Sequence, residues 1–150
     1  MREMTIRQIT PAMLDELTDL FLDVFNAPPW NDTWQRDSAR LRLRDIMRRP
    51  KFFGIAGFDG DRMVGMVMGH GEQADDGVHF QILELCTAGD RKGEGIGSSL
   101  LDELTDFLDR QGITAVYLLT MRGEGTEEFY SRHGFRTVEK MCVMSRRRGQ

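Results

Sequence analysis

A chain of 150 residues with 40% hydrophobic and 29% charged positions has the size and make-up of one globular domain, so residues 1–150 are expected to form a single domain around one core. A formal net charge of -4 speaks against a general polyanion binder, whose affinity would rest on clustered cations, and nucleic acid is not an expected partner. Cys86 and Cys142 are too few and too far apart for a disulfide or zinc framework, which suits a reducing cytoplasm; the amino-terminal segment, with acids every few residues, reads as neither a signal peptide nor a membrane span.

In chain order, Thr5 to Ile9 is β-prone and leads into a helix with Thr10 as N-cap and Pro11 at its first position. Leu14, Leu17, Phe21, Val24 and Phe25 mark its buried face. "NAPPWND" breaks that helix, and a second runs from Thr33 to about Arg49, with Arg36, Arg40, Arg44 and Arg48 at spacing four and Pro50 as its stop. "KFFGIAGF" and "MVGMVMGH" flank a "DGDR" turn and predict a β-hairpin. "GEQADDG" reads as a surface loop, and "VHFQILELCT" as the next strand. A helix from about Gly97 to Arg110 follows, with Gly112 at its end. "ITAVYLLT" predicts a buried strand, "TEEFYSRHG" a short helix from Thr126 to Gly134, and "FRTVEKMCVMSRR" a closing hairpin. The order βαα βββ α β α ββ implies a mixed α/β sheet with helices packed on it, without doubly wound alternation.

Between the "VHFQILELCT" strand and the helix after it lies "DRKGEGIGSSLL". Glycines at alternate positions let backbone approach a ligand without Cβ, and the helix that starts there presents unpaired N–H groups, a combination suited to phosphate. The dinucleotide fingerprint fails, because counting from Gly93 or from Gly95 puts Ser98 or Leu100 in the third glycine place. The phosphate loop of nucleotide hydrolases fails too, since no Gly-Lys-Ser/Thr is present. A ligand-free glycine turn is the remaining plain reading.

Strand "QILELCT", loop "KGEGIGSSLL" and the later "FYSRHGF" together resemble the GCN5-related N-acetyltransferase (GNAT) family. The family writes its pyrophosphate loop Gln/Arg-x-x-Gly-x-Gly/Ala, and here Lys92, Gly95 and Gly97 take the three defined places. The resemblance implies an acyl-CoA N-acyltransferase fold: a mixed, mostly antiparallel sheet flanked by helices, with central strands that splay. It implies that acetyl-CoA is the co-substrate and rests its phosphates on Lys92, Gly93, Glu94, Gly95, Ile96, Gly97 and Ser98, with no metal. Glu94 departs from the pattern, because an acid beside a pyrophosphate is unhelpful unless it points away. The resemblance also implies that Leu85, Cys86 and Thr87 offer backbone to the acyl arm. Dimers through the last strands are common in such folds, which leaves a homodimer open.

Acetyl transfer to an amine needs a base and an acid. Phe80, Ile82, Glu84 and Cys86 alternate, placing Glu84 on an otherwise apolar strand face, where burial would raise its pKa toward neutrality and suit it as the base. Alternatively Glu84 pairs with an arginine or a backbone N–H, or a bulge turns it away. Tyr130 falls where the family places a tyrosine near the CoA sulfur, which implies a general acid; by spacing alone it would be a packing aromatic. Cys86 could also be a nucleophile, though no adjacent Cys-His pair is visible. Trp30 and Trp34 could wall the acceptor, or pack in the core. The arginine-rich helix would be a solvated face, or would favour an anionic acceptor or a dimer partner, whereas Glu72, Asp75 and Asp76 would favour a polyamine or aminoglycoside. The expectation is a cytoplasmic enzyme that moves acetyl directly, in a ternary complex, to the primary amine of a small molecule or aminoglycoside-like acceptor in preference to a protein; the other expectation is a non-catalytic acyl-CoA sensor.

Overall fold

The computed structural model describes residues 3–123 and 125–149, which fall into two compact units, Met1–Leu119 and Thr120–Gln150. In the first, five strands run side by side in chain order: β1 (Thr5–Gln8), β2 (Phe52–Asp59), β3 (Arg62–Ala74), β4 (Gly77–Thr87) and β5 (Ala115–Leu118). Neighbours are antiparallel except β4 and β5, which are parallel. That parallel pair requires a crossover, and α3 (Ile96–Arg110) supplies it.

Between β1 and β2 lie α1 (Leu14–Phe25) and α2 (Arg36–Met47). Pro11 opens a 3₁₀ turn, Pro11–Met13, rather than α1 itself, and no side chain caps either start. Leu17, Phe21 and Val24 of α1 and Ala39, Leu43 and Ile46 of α2 bury against one face of the sheet, on Ala56, Met66 and Met68. Arg36 with Asp19, and Arg40 with Asp15 at 2.9 Å, tie α2 to α1 across their outer edges. The other face carries α3, whose Ile96 and Leu100 sit so close to β3 that a Cβ on Gly65 would meet them at 2.8 and 2.9 Å. Phe107 of α3 stacks on Phe53 of β2, centroids 4.1 Å apart. Gly112, at φ +77°, ends the helix as expected, with Ile113 N–H donating to the Leu108 carbonyl.

Two boundaries differ from expectation because a ladder partner was at hand. β3 runs on through "GEQA" to Ala74, since Ala74 pairs with Gly77 across the tight Asp75-Asp76 turn; the predicted loop shrinks to those two residues. β5 is shorter than "ITAVYLLT", because β4 pairs with it only from His79 to Ile82.

The second unit holds α4 (Thr126–Arg132), which Gly134 at φ +88° closes. Thr126 Oγ1 reaches the Met121 and Gly123 carbonyls at 2.7 and 3.0 Å, fixing the helix start. The expected closing hairpin is absent from the described residues: 135–149 form no ladder, and Val138, Met141, Val143 and Met144 stay exposed. An alternating apolar pattern makes a strand only where another strand satisfies its backbone groups, and none pairs with this one.

Candidate active site

Burial along β4 alternates as its pattern predicts, with Phe80, Ile82, Glu84 and Cys86 all inside. Their faces do not agree. Met68 pairs with Glu84 but the next residue of β3, Gly69, pairs with Ile82, so Leu83 is an extra residue and the strand bulges there. The bulge shifts the two-residue period by one. Phe80 and Ile82 therefore face α3, whereas Glu84 and Cys86 face α1 and α2, which corrects the expectation of one shared face. Gly69 permits the close approach, since a Cβ there would stand 2.0 Å from the Gln81 carbonyl oxygen.

On the α2 side Glu84 meets an arginine. Arg42 Nε donates to Glu84 Oε1 at 2.6 Å. The carboxylate is 9% exposed and the arginine side chain 41% exposed, so the pair forms at the rim of the core with the cation outermost. Burial raises the pKa of Glu84, the Arg42 charge and hydrogen bond oppose the rise, and the negative charge of Asp32 adds to it. Glu84 Oε2 receives no hydrogen bond from a described residue. It is not sealed either, because Arg44 Nε is the one described buried side-chain N or O atom without a partner. One oxygen is thus held by Arg42 and the other has no hydrogen bond from a described residue.

Asp32 belongs to the loop between α1 and α2 and is oriented by Trp34, whose Nε1 donates to Asp32 Oδ2 at 3.2 Å. The Asn26 side chain clasps Trp34 at both backbone groups, at 2.9 and 3.0 Å. Trp34 packs edge-on to Phe21 and Trp30 tilts against Phe25, so both indoles anchor the loop on α1 as partly buried packing residues.

Cys86 is buried in the same cluster, and burial first, then the Glu84 charge, pushes its thiol pKa far up. Such a thiol holds its proton and is a poor nucleophile. Its neighbours matter through their backbone: β5 pairs no further than Ile82, so Leu83 to Thr87, which includes Leu85, Cys86 and Thr87, has no strand on that edge among the described residues. The β4 backbone there is open to pairing with an extended acyl arm.

Past β4 the chain makes a 3₁₀ turn, Gly89–Arg91, and reaches the glycine loop. Gly93 and Gly95 take φ of +84° and +79°, the left-handed region that favours glycine, and Gly95 is the N-cap of α3. No side chain caps the helix, and an added Cβ at either glycine would meet nothing within 4 Å, so the loop mouth is bare backbone. Ile96 and Gly97 begin a fifteen-residue helix with amide N–H groups that precede its first intrahelical bonds. Arg91 lies 3.6 Å from the Glu94 carboxylate and offsets part of its charge. Arg91 also bonds Asp59 at 2.6 Å, and Arg62 forks onto Asp90 at 2.7 and 2.9 Å, so the β2–β3 turn braces the loop. The fit to a pyrophosphate is good: a bare left-handed cradle at a helix start, with its acid partly offset by an arginine.

Tyr130 lies in α4, its ring edge-on to Phe129 and Phe135 at 5.1 and 5.6 Å. On the first unit, Tyr117 of β5 donates to Glu72 Oε1 at 2.6 Å, a bond that with burial pushes the phenol pKa up to about 12. His79 bonds Asp76 at 2.7 Å. Two of the acids that suggested a cationic acceptor are therefore already engaged.

Arg42 and Asp32 were not singled out by sequence. A signal for Arg42 exists: it stands three residues after Ala39 and four before Ile46, inside the apolar stripe of α2, where an arginine needs an acid to meet. Asp32 left no periodic trace. Among the described residues no group of three or more metal-ligating side chains comes together, and no helix is long and apolar enough to cross a membrane.

No curated relative matches the chain. Among solved structures it is similar to a possible acetyltransferase from Clostridium difficile 630, with a TM-score of 0.82 at 14% identity over 95% of this chain and 97% of that one. It is similar to a transcriptional regulator from Bacillus halodurans C-125, TM-score 0.76 at 20% identity over 95% and 99%. An aminoglycoside acetyltransferase from an uncultured soil metagenomic sample superposes with a TM-score of 0.74 at 16% identity over 97% and 98%. These likenesses establish the fold. The model of the acetyltransferase (GNAT) family matches residues 12–135, a span that takes in the bulged strand, the glycine loop and α4, and the chain belongs to that family.

Proposed function

We propose that residues 1–150 act as one catalytic domain, a cytoplasmic N-acetyltransferase that moves the acetyl group of acetyl-CoA directly to the primary amine of a small molecule within a ternary complex. The observation that carries this reading is Glu84: a carboxyl group with raised pKa, fixed by Arg42 at one oxygen and open at the other, on the strand that carries the unpaired edge. Family membership supports acetyl-CoA as the co-substrate.

In this reading, amides from Gly93 to Ser98 and the Lys92 ammonium hold the phosphates, and the open backbone of Leu85, Cys86 and Thr87 takes the acyl arm. Glu84 Oε2 accepts a proton from the acceptor ammonium, directly or through water, and so frees the amine lone pair. The amine nitrogen bonds to the thioester carbon and gives up its second proton to solvent, the carbon–sulfur bond breaks, and Tyr130 gives the departing sulfur its phenolic proton. Tyr130 then regains a proton from solvent and Glu84 releases one to it. The balance is amide, free thiol and one proton. Trp30 and Trp34 serve by holding the acceptor loop and its Asp32, and Cys86 lines the site without chemistry of its own.

The test is thiol release from acetyl-CoA with a panel of small amines, on wild type and Glu84→Gln. The expected outcome is amine-stimulated release in wild type, and in the variant a loss of about a hundredfold or more in turnover at neutral pH with acetyl-CoA binding by calorimetry nearly unchanged. Equal rates in the two proteins across pH would remove Glu84 as base. Tight acetyl-CoA binding without release by any amine would favour an acyl-CoA sensor, a class in which the fold but not the transfer is kept.

A further inference from the structure

Arg42 does more than neutralise Glu84. A guanidinium offers five N–H donors in one plane, and the bond to Glu84 is made through Nε, on the side of the fork. No other described residue accepts a hydrogen bond from Arg42, and its side chain is 41% exposed. The two terminal nitrogens therefore have no acceptor among the described residues, on a side chain that is partly exposed and bonded to Glu84.

The other arginines along α2 are engaged differently. Arg36 and Arg40 bind Asp19 and Asp15 of α1, Arg44 lies 3.7 Å from Asp45 and keeps a buried Nε without a partner, and Arg49, past the helix end, donates to His70 Nε2 at 3.1 Å. The charged groups that act on Glu84 are Arg42, bonded to it at 2.6 Å, and Asp32, whose negative charge helps raise its pKa. A polycation would have to bring its positive charges against Arg42. A molecule that carries an ammonium and a carboxylate close together fits both signs, with its nitrogen between Glu84 and Asp32 and its carboxylate on the outer fork of Arg42.

We infer that Arg42 is the specificity residue for the acceptor, and that the acceptor is a small amine bearing a carboxylate within a few bonds of its nitrogen, as in a free amino acid. This rests on the transferase reading above and gives its acceptor class. Arg42 need not leave Glu84 to serve, because Nε and the terminal pair are separate edges of one group.

The experiment compares kcat/KM for matched pairs that differ by the carboxylate alone: alanine with ethylamine, phenylalanine with phenethylamine, lysine with cadaverine. Wild type is expected to prefer the amino acid in a pair by about tenfold to a hundredfold, the range for a hydrogen-bonded charge. Arg42→Ala should bring that ratio close to one, and Arg42→Lys, which keeps charge without the fork, should restore part of it. A merely structural role, or a change in Glu84 basicity, would slow both members of a pair alike and leave the ratio where it was. Circular dichroism and acetyl-CoA binding check that the variants fold. A wild-type ratio at or below one, or a ratio unmoved in Arg42→Ala, overturns the inference while leaving the transferase reading intact. Absence of release from every amine with acetyl-CoA bound overturns the transferase reading, and the inference with it.

Discussion

The titration of Glu84 should leave a signature in stability, independent of the catalytic role proposed for it. Its folded pKa lies above the value of 4.5 for an ordinary glutamate, with burial as the main cause. Between those two values the folded chain holds a proton that the unfolded chain has released, so stability must fall as pH rises through that window; the benefit is complete below the unfolded value. Asp15 and Asp90 act in the opposite sense, since Arg40 and Arg62 lower their pKa values and their contribution fades as pH drops through those depressed values. Both are unchanged in Glu84→Gln, so the difference between wild type and variant isolates Glu84. Melting temperatures measured from mildly acidic to neutral pH should show wild type losing ground to the glutamine variant as pH rises. A difference flat in pH would mean that Arg42 fully offsets the burial of the carboxylate.

At the level of elements, the bulge in β4 decides which face receives Glu84, and Gly69 makes the bulge possible. Alanine there would set its Cβ against the Gln81 carbonyl oxygen, a backbone atom that cannot swing away. Gly69→Ala should cost about 1–3 kcal/mol in denaturant unfolding and lower turnover further than that loss of stability explains, because the register that sends Glu84 toward Arg42 is disturbed. Unchanged kinetics would show that the bulge can relocate. This element also marks the limit of what was legible in the sequence. The period of two in "FQILELCT" revealed which β4 residues are buried, but a one-residue insertion leaves burial alternating while it exchanges faces, and nothing in the letters distinguishes the two. The existence of the helices, the "DGDR" turn and the bare glycine loop at the start of α3 were legible because glycine, proline and apolar spacing act locally. Asp32 was not, and Arg42 showed only as a charge inside an apolar stripe with no named partner, because what brings them to Glu84 is the docking of α2 and its loop on the sheet, a contact between distant parts of the chain. The closing hairpin failed for a related reason, its pattern being right and its partner strand missing.

Over the whole molecule, the buried hydrophobic residues among those described run from Ile9 to Leu108, all within Met1–Leu119, and α4 contributes none. Burial of apolar surface is the main favourable term in folding, so the stability of the chain should reside almost entirely in the five-stranded unit. A chain ended after Leu119 is then expected to unfold cooperatively, with a melting temperature within about 5 °C of the full chain, a shift of the size that about 1 kcal/mol produces. It keeps Glu84, Arg42, the open β4 edge and the glycine loop, so it should still be stabilised by acetyl-CoA through mass action. It lacks Tyr130 and should transfer acetyl slowly or not at all. Thermal scans with and without acetyl-CoA, alongside thiol release, separate the possibilities. A shortened chain that melts high, responds to acetyl-CoA and does not turn over would assign binding to the sheet and the loop and transfer to the segment beyond Leu119. One that turns over at the full rate would remove Tyr130 from the chemistry, and one that fails to fold would show that the apolar side chains after Leu119 stabilise the fold despite their exposure.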